Sequence, residues 1–242
     1  MIGAFLNAFG ILAGALFGLT ARAPLSARAQ NFFKVALGLF TVFFGLKLVV
    51  DNLQGNFISA LKQLGFGMLA VLLGFWLGKL LRLQKLSNRI GRHAGTLLAA
   101  AQKNPPGQAA DGALAGTILF CAAPLGILGA VADGLATTGF FYLLLIKGVM
   151  DGLATASFVK LFRWPAALAA FPVFLLLNGL TLAVHFGALP WLNDHAATAS
   201  VNVAAGLLTC VVSLVIFEVR RVELNSYLPA IIVAPFLKLF LG

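Results

Sequence analysis

Eight stretches of this chain are continuously apolar for about the length that crosses a bilayer. They run at about 2–21, 33–50, 57–80, 113–135, 139–161, 166–187, 197–217 and 227–241. A hydrocarbon core about 30 Å thick needs a helix of about 20 residues. Backbone N–H and C=O groups cannot go unpaired in lipid, so such runs must be helices. The runs do not alternate apolar with polar, which argues against barrel strands. Composition closes off the alternative: 61% of residues are hydrophobic and 10% charged, whereas a soluble domain is about 45–50% apolar and about 25% charged. The expected fold is all-α, a polytopic transmembrane helical bundle of about eight spans. The eighth run is the least secure, being short and interrupted by Pro229 and Pro235.

Charge sets the expected orientation. Lys and Arg number 17 against 7 Asp and Glu, a net charge of +10. The first connection carries Arg22, Arg28 and Lys34, and the third Lys79, Arg82, Lys85, Arg89, Arg92 and Lys103. The fifth carries Lys160 and Arg163, and the seventh Arg220 and Arg221. The even connections are poor in cations, although Lys47 and Lys62 lie near the ends of the second. Cytoplasmic loops carry the excess of cations, so the odd connections are expected inside and both termini outside. Ala21-Arg22-Ala23 and Ala27-Arg28-Ala29 resemble cleavage sites, but the charge follows the apolar stretch instead of preceding it, so an uncleaved first span is expected.

Residues 82–103 differ in kind. Leu83, Leu86, Ile90, Leu97 and Leu98 recur at roughly helical spacing with cations between them. That pattern fits a helix lying on an anionic leaflet, the alternative being a solvated basic linker. Asn104-Pro105-Pro106-Gly107 then breaks the helix. The expected organisation is a three-span unit (1–81), a basic amphipathic cytoplasmic segment with its linker (82–111) and a five-span unit (112–242), together one membrane domain.

Gly3, Asn7, Gly10, Gly14 and Gly18 share one face of the first span. Glycines there let a second helix approach closely, and Gly74 and Gly78 repeat the pattern in the third span. Asn7 either bonds another helix or lines a polar cavity. In the fourth span Cys121, Pro124, Gly126 and Gly129 mark a kink or a break, because an internal proline removes one backbone hydrogen bond and blocks another. Transporters use broken helices to bind ions and solutes.

A short duplication is the most informative motif. Residues 131–137 read Val-Ala-Asp-Gly-Leu-Ala-Thr, and residues 149–155 read Val-Met-Asp-Gly-Leu-Ala-Thr. Each copy carries an aspartate, and since the two spans run in opposite directions the copies could face each other. Asp133 is expected near the outer end of its span. Asp151 is about 18 Å into the next, near the midplane. Lys147, four residues earlier, can pair with it. A charge at that depth costs several kcal/mol unless paired or hydrated. The pair either lines a path or locks helices together. Asn178 and Asn202 are weaker polar positions, each an interhelical bond or a ligand contact. Residues 36–41 and 204–209 also resemble each other, as inverted repeats do in transporters.

Taken together in order and spacing, Gly3, Asn7, Cys121, Asp133-Gly134, Lys147, Asp151-Gly152, Asn225 and Leu228-Pro229-Ala230 resemble the bacterial membrane family catalogued as domain of unknown function 554. The likeness covers essentially the whole chain, and Pro124 departs from the pattern. It implies a multi-pass protein of the bacterial inner membrane and little about chemistry.

The reading favoured by the charges is a secondary transporter or channel for a small solute or ion, with Lys147, Asp151, Asp133, Asn7, Asn178 and Asn202 as candidate binding residues. The alternative is a structural or accessory protein that binds lipid or a partner chain. An enzyme is not expected: Lys147 would keep Asp151 ionised, against an aspartyl dyad, and the phosphate-loop, zinc-protease and nucleophile-elbow motifs are lacking. Cys121, Cys210, His93, His185 and His195 show no metal or disulfide spacing. Expected partners are membrane lipids at 82–103 and the solute, with a homo-oligomer left open; no cofactor, metal or nucleic acid is expected.

Overall fold

The computed structural model describes residues 2–21, 23, 25–103, 109–135, 140–220 and 222–241, with side chains omitted at 101–103, 109 and 110. The expected break at 104–107, the last two residues of the first duplicated copy, Arg22, Arg221 and the Lys103 side chain lie outside the described residues.

Every regular element described is helical. The first three are α1 (Gly3–Thr20), α2 (Ala27–Val50) and α3 (Phe57–Leu80). The surface helix is α4 (Leu83–Lys103). Two short helices follow, α5 (Ala109–Cys121) and α6 (Pro124–Leu135), and then α7 (Tyr142–Phe162). One continuous rod, Trp164–Asp194, starts with a 3-10 turn and contains α8 (Ala170–Ala183), a π turn (Val184–Ala188) and α9 (Leu189–Asp194). The last helices are α10 (Thr198–Ile216) and, after a 3-10 turn at Leu224–Tyr227, α11 (Ala230–Leu241).

Seven helical segments are long and apolar enough to span, and α5 with α6 makes an eighth. The final segment, Leu224–Leu241, is among the seven despite Pro235. Helix ends differ from the apolar runs because polar first turns extend into the interface. Thus α2 begins at residue 27, where the Ser26 hydroxyl accepts from the Ala29 amide at 3.2 Å, instead of at 33. Likewise the sixth rod continues past 187 to Asp194.

Glycines set the packing. An added Cβ at Gly10 or Gly14 would collide with the carbonyl of Gly148 or Gly152, and one at Gly18 with that of Ala156. The order of these contacts makes α1 and α7 parallel and brings their backbones together. The α2–α10 pair is antiparallel: Gly38 lies against Phe217, Gly45 against Cys210, and Asn52 bonds Asn202. In the α3–α11 region Gly74 meets Ala230 and Gly78 meets Ser226. Each of the first three spans therefore packs chiefly on a helix from the second half of the chain. The glycine faces are consumed inside the bundle, as helix packing predicts.

All strongly basic connections fall on one end of this bundle, called here the basic face. Lys34 pairs there with Glu218 at 2.9 Å, and Lys160 donates to the Ala21 carbonyl at 2.6 Å. Left-handed backbone at Arg82 (φ 54°) turns the chain from α3 into α4, and Arg163 (φ 62°) caps α7. Ala94 of α4 is fully buried and Leu97 and Leu98 pack on the bundle, while Leu86 and Ile90 stay exposed.

Overpacking a tight core costs about 1–3 kcal/mol or more. Gly14→Val is therefore expected to lower the unfolding midpoint in detergent by several degrees. Gly65→Ala, where a Cβ meets nothing within 4 Å, should leave it unchanged or raise it slightly. Equal melting of the two variants would contradict the α1–α7 contact.

Candidate functional site

The site is built where α1, α5, α6 and α7 meet. Lys147 and Asp151 sit one helical turn apart on α7, and Asp151 is the tenth of its 21 residues, near mid-span. Lys147 is 1% exposed and Asp151 6%. Their side chains form an ion pair through Asp151 Oδ2. The same oxygen accepts from Asn7 Nδ2 at 2.9 Å, and Asn7 is fully buried. Two donors on one carboxylate oxygen offset part of the cost of burying it. The Asn7 carbonyl oxygen has no donor among the described residues, so the cluster keeps one open acceptor. Thr155 bonds back to the Asp151 carbonyl at 2.7 Å.

The break in the fourth span shapes the other side. α5 and α6 meet at a bend of 63° across Ala122 and Ala123. Pro124 begins α6, where its missing N–H is no loss, so the expected break is real and separates two helices. Gly126 lies against the Lys147 side chain: a Cβ there would come within 2.7 Å of Lys147 Cε. Gly129 similarly accommodates Leu144. From α5, the Phe120 ring lies 5.8 Å from Lys147 Nζ, within cation–π range. Lys147 thus reaches from α7 across the first turn of α6 toward the end of α5, beside Cys121.

Asp133 is buried near the far end of α6, and its Oδ2 accepts from the Gly3 amide at 3.2 Å. Both duplicated aspartates therefore address α1, at positions 3 and 7, one turn apart. Asn202 lies elsewhere, donating to Asn52 at 2.9 Å between α10 and α2. Asn178 is half-buried on α8, and its side chain makes no hydrogen bond among the described residues. Neither belongs to the Lys147 cluster. Sequence patterning missed Phe120 and Asn52, whose roles depend on distant partners. It also missed the bond from His185, in the π turn, to the Gly134 carbonyl at 3.0 Å.

Two cavities open toward the basic face and share Ala123 and Pro124. One, of about 1050 Å³, lies between α1, α2, α7 and α10. Gln30, Lys34, Ser157 and Lys160 are its polar lining, and Leu125, Met150 and Leu153 lie at its deep end. Asp151 is on α7 between those last two residues but does not line the cavity. The other, of about 1560 Å³, lies between α4 and the break. Among the described residues no group of three or more His, Cys, Asp or Glu is placed to hold a metal ion.

Residues 2–239 match the family model described as protein of unknown function (DUF554). The chain belongs to that family. It is 27% identical over 235 residues to the uncharacterized protein YqgA of Escherichia coli (strain K12), an alignment covering 97% of this chain and 94% of that protein. No solved structure matches.

Breaking one partner of a buried ion pair strands the other and costs about 3–5 kcal/mol. Lys147→Met and Asp151→Asn should each destabilise by about that much in denaturant titrations from mixed micelles. The double variant should lose about 2 kcal/mol less than their sum. Additive losses would show that the pair is not coupled.

Proposed function

We propose that this protein is a secondary transporter or channel for a small solute or ion, with Lys147, Asp151 and Asn7 as its central site. The observation that carries this reading is a charged cluster at mid-span, on the far side of a broken helix from a cavity that ends beside it. Intramembrane charges are costly and generally face a pathway or a partner. Here a lysine and a carboxylate neutralise each other when nothing is bound. A cation or proton arriving at Asp151 would release Lys147, and an anion arriving at Lys147 would release Asp151, so the site stays close to neutral through a cycle. Movement at Ala122–Pro124 would join the cluster to the cavity, as discontinuous helices do in transporters. Asp133, bonded to the start of α1, would hold the opposite end closed.

Within this reading the basic face is cytoplasmic, both termini are external and the membrane is the bacterial inner membrane. α4 would rest on its anionic leaflet. The chain would act on its solute without covalent chemistry.

One observation favours a second reading, a structural or accessory membrane protein. The ion pair is enclosed, and neither partner lines either of the two cavities described above. In that case the pair would serve only to fix α1 and α7.

The two readings separate in proteoliposomes on a solid-supported membrane, challenged with sodium salts of small carboxylates and with neutral amino acids. Wild-type protein should give a transient current with at least one. The folded Lys147→Met/Asp151→Asn double variant should give less than about a tenth of it, as expected when an essential charge is lost. Equal currents would remove the cluster from the pathway.

A further inference from the structure

The second cavity is a crater with an unusual wall. Lys85, Arg89 and Arg92 line it at steps of four and three along the start of α4, which places them on one stripe, and Arg82 joins them from the turn that precedes the helix. No Asp or Glu lines the crater, and none of the four cations makes an ion pair among the described residues. Their like charges make a local positive field that an anion among them would neutralise.

The wall is held in place. Asn225 donates through Nδ2 to Ser87 Oγ at 2.8 Å and through its backbone to Gln84 Oε1 at 3.3 Å, tying α4 to the 3-10 turn before α11. The floor is apolar, formed by Leu119 and Ala122–Pro124, with the exposed Leu81 and Leu86 at its edge. Four cations above an apolar floor, where α3 ends and α5 approaches, match an amphiphile with an anionic head.

We infer that this crater binds one anionic phospholipid from the leaflet at the basic face, its phosphate among Arg82, Lys85, Arg89 and Arg92 and its acyl chain against the break in the fourth span. The site is more specific than the attraction of α4 to a charged surface, and it rests on the placement of the basic face at an anionic leaflet, not on transport. Because Ala123 and Pro124 line both cavities, a lipid here would touch the same hinge that closes off the Lys147 cluster.

Native mass spectrometry of the full chain, released from micelles titrated with dioleoyl phosphatidylglycerol or dioleoyl phosphatidylcholine, tests the site. One phosphatidylglycerol should be retained per chain, roughly tenfold more tightly than phosphatidylcholine. Lys85→Gln/Arg89→Gln/Arg92→Gln should abolish that preference, while Arg89→Lys/Arg92→Lys, which keeps the charge, should retain it. Lys62→Gln, on the opposite face, should change nothing. Equal retention of the two lipids by wild type would remove the anionic leaflet from the account. An unchanged preference in the Gln variant would place the lipid elsewhere. Displacement of the lipid by an equal concentration of glycerol phosphate would assign the crater to a soluble phosphate compound instead.

Discussion

The structure turns on one ion pair placed where lipid forbids charge. Lys147 and Asp151 lie at mid-span, both buried and paired with each other, which offsets part of the cost of placing charge there. Their neighbours follow from this. Asn7 supplies a second donor to the same carboxylate oxygen, and Phe120 presents its ring to the ammonium. Gly126 leaves room for the lysine stem, and the glycine row of α1 brings Asn7 near enough to α7 to bond. Replacing any of these with a bulkier or apolar side chain would leave a buried charge poorly solvated.

The bundle divides at the break in the fourth span. On one side lies the enclosed cluster, with Asp133 bonding the start of α1. On the other lie two cavities at the basic face, one mostly apolar between α2 and α7, the other walled by the cations of α4. Ala123 and Pro124 belong to both cavities, so the bend is the one element in contact with every feature that invites a ligand. A proline starting α6 lacks the backbone N–H that would otherwise bond α6 to α5 across the bend.

The spans were legible in the sequence because bilayer thickness dictates their length, and the break was legible because Pro124 cannot continue a helix. Lys147 and Asp151 were legible for a local reason: a four-residue step puts them on one face of one helix. Their partners were not. Asn7 stood out as a polar residue among glycines, but only the fold joins it to a residue 144 positions away. Nothing local marks Phe120, and Asn52 gains meaning only opposite Asn202. The duplicated motif suggested aspartates facing each other; instead both face α1, because α1 packs along α7 and its first residues reach α6. Helix ends were misjudged where polar first turns, such as the one capped by Ser26, continue the helix beyond the hydrocarbon.

The transport reading requires that the cavity ending beside Asp151 take up water from the basic face and that the Lys147–Asp151 cluster stay sealed from the opposite face. Cysteine scanning along α7 tests it most directly, in a background lacking Cys121 and Cys210, with an impermeant thiol reagent applied to membranes of each orientation. Ser157→Cys and Leu153→Cys should be labelled from the basic side only, and Ile146→Cys, at a buried position beyond the cluster, from neither. Labelling of Leu153→Cys from the opposite side, or protection of both Ser157→Cys and Leu153→Cys from either side, would contradict it.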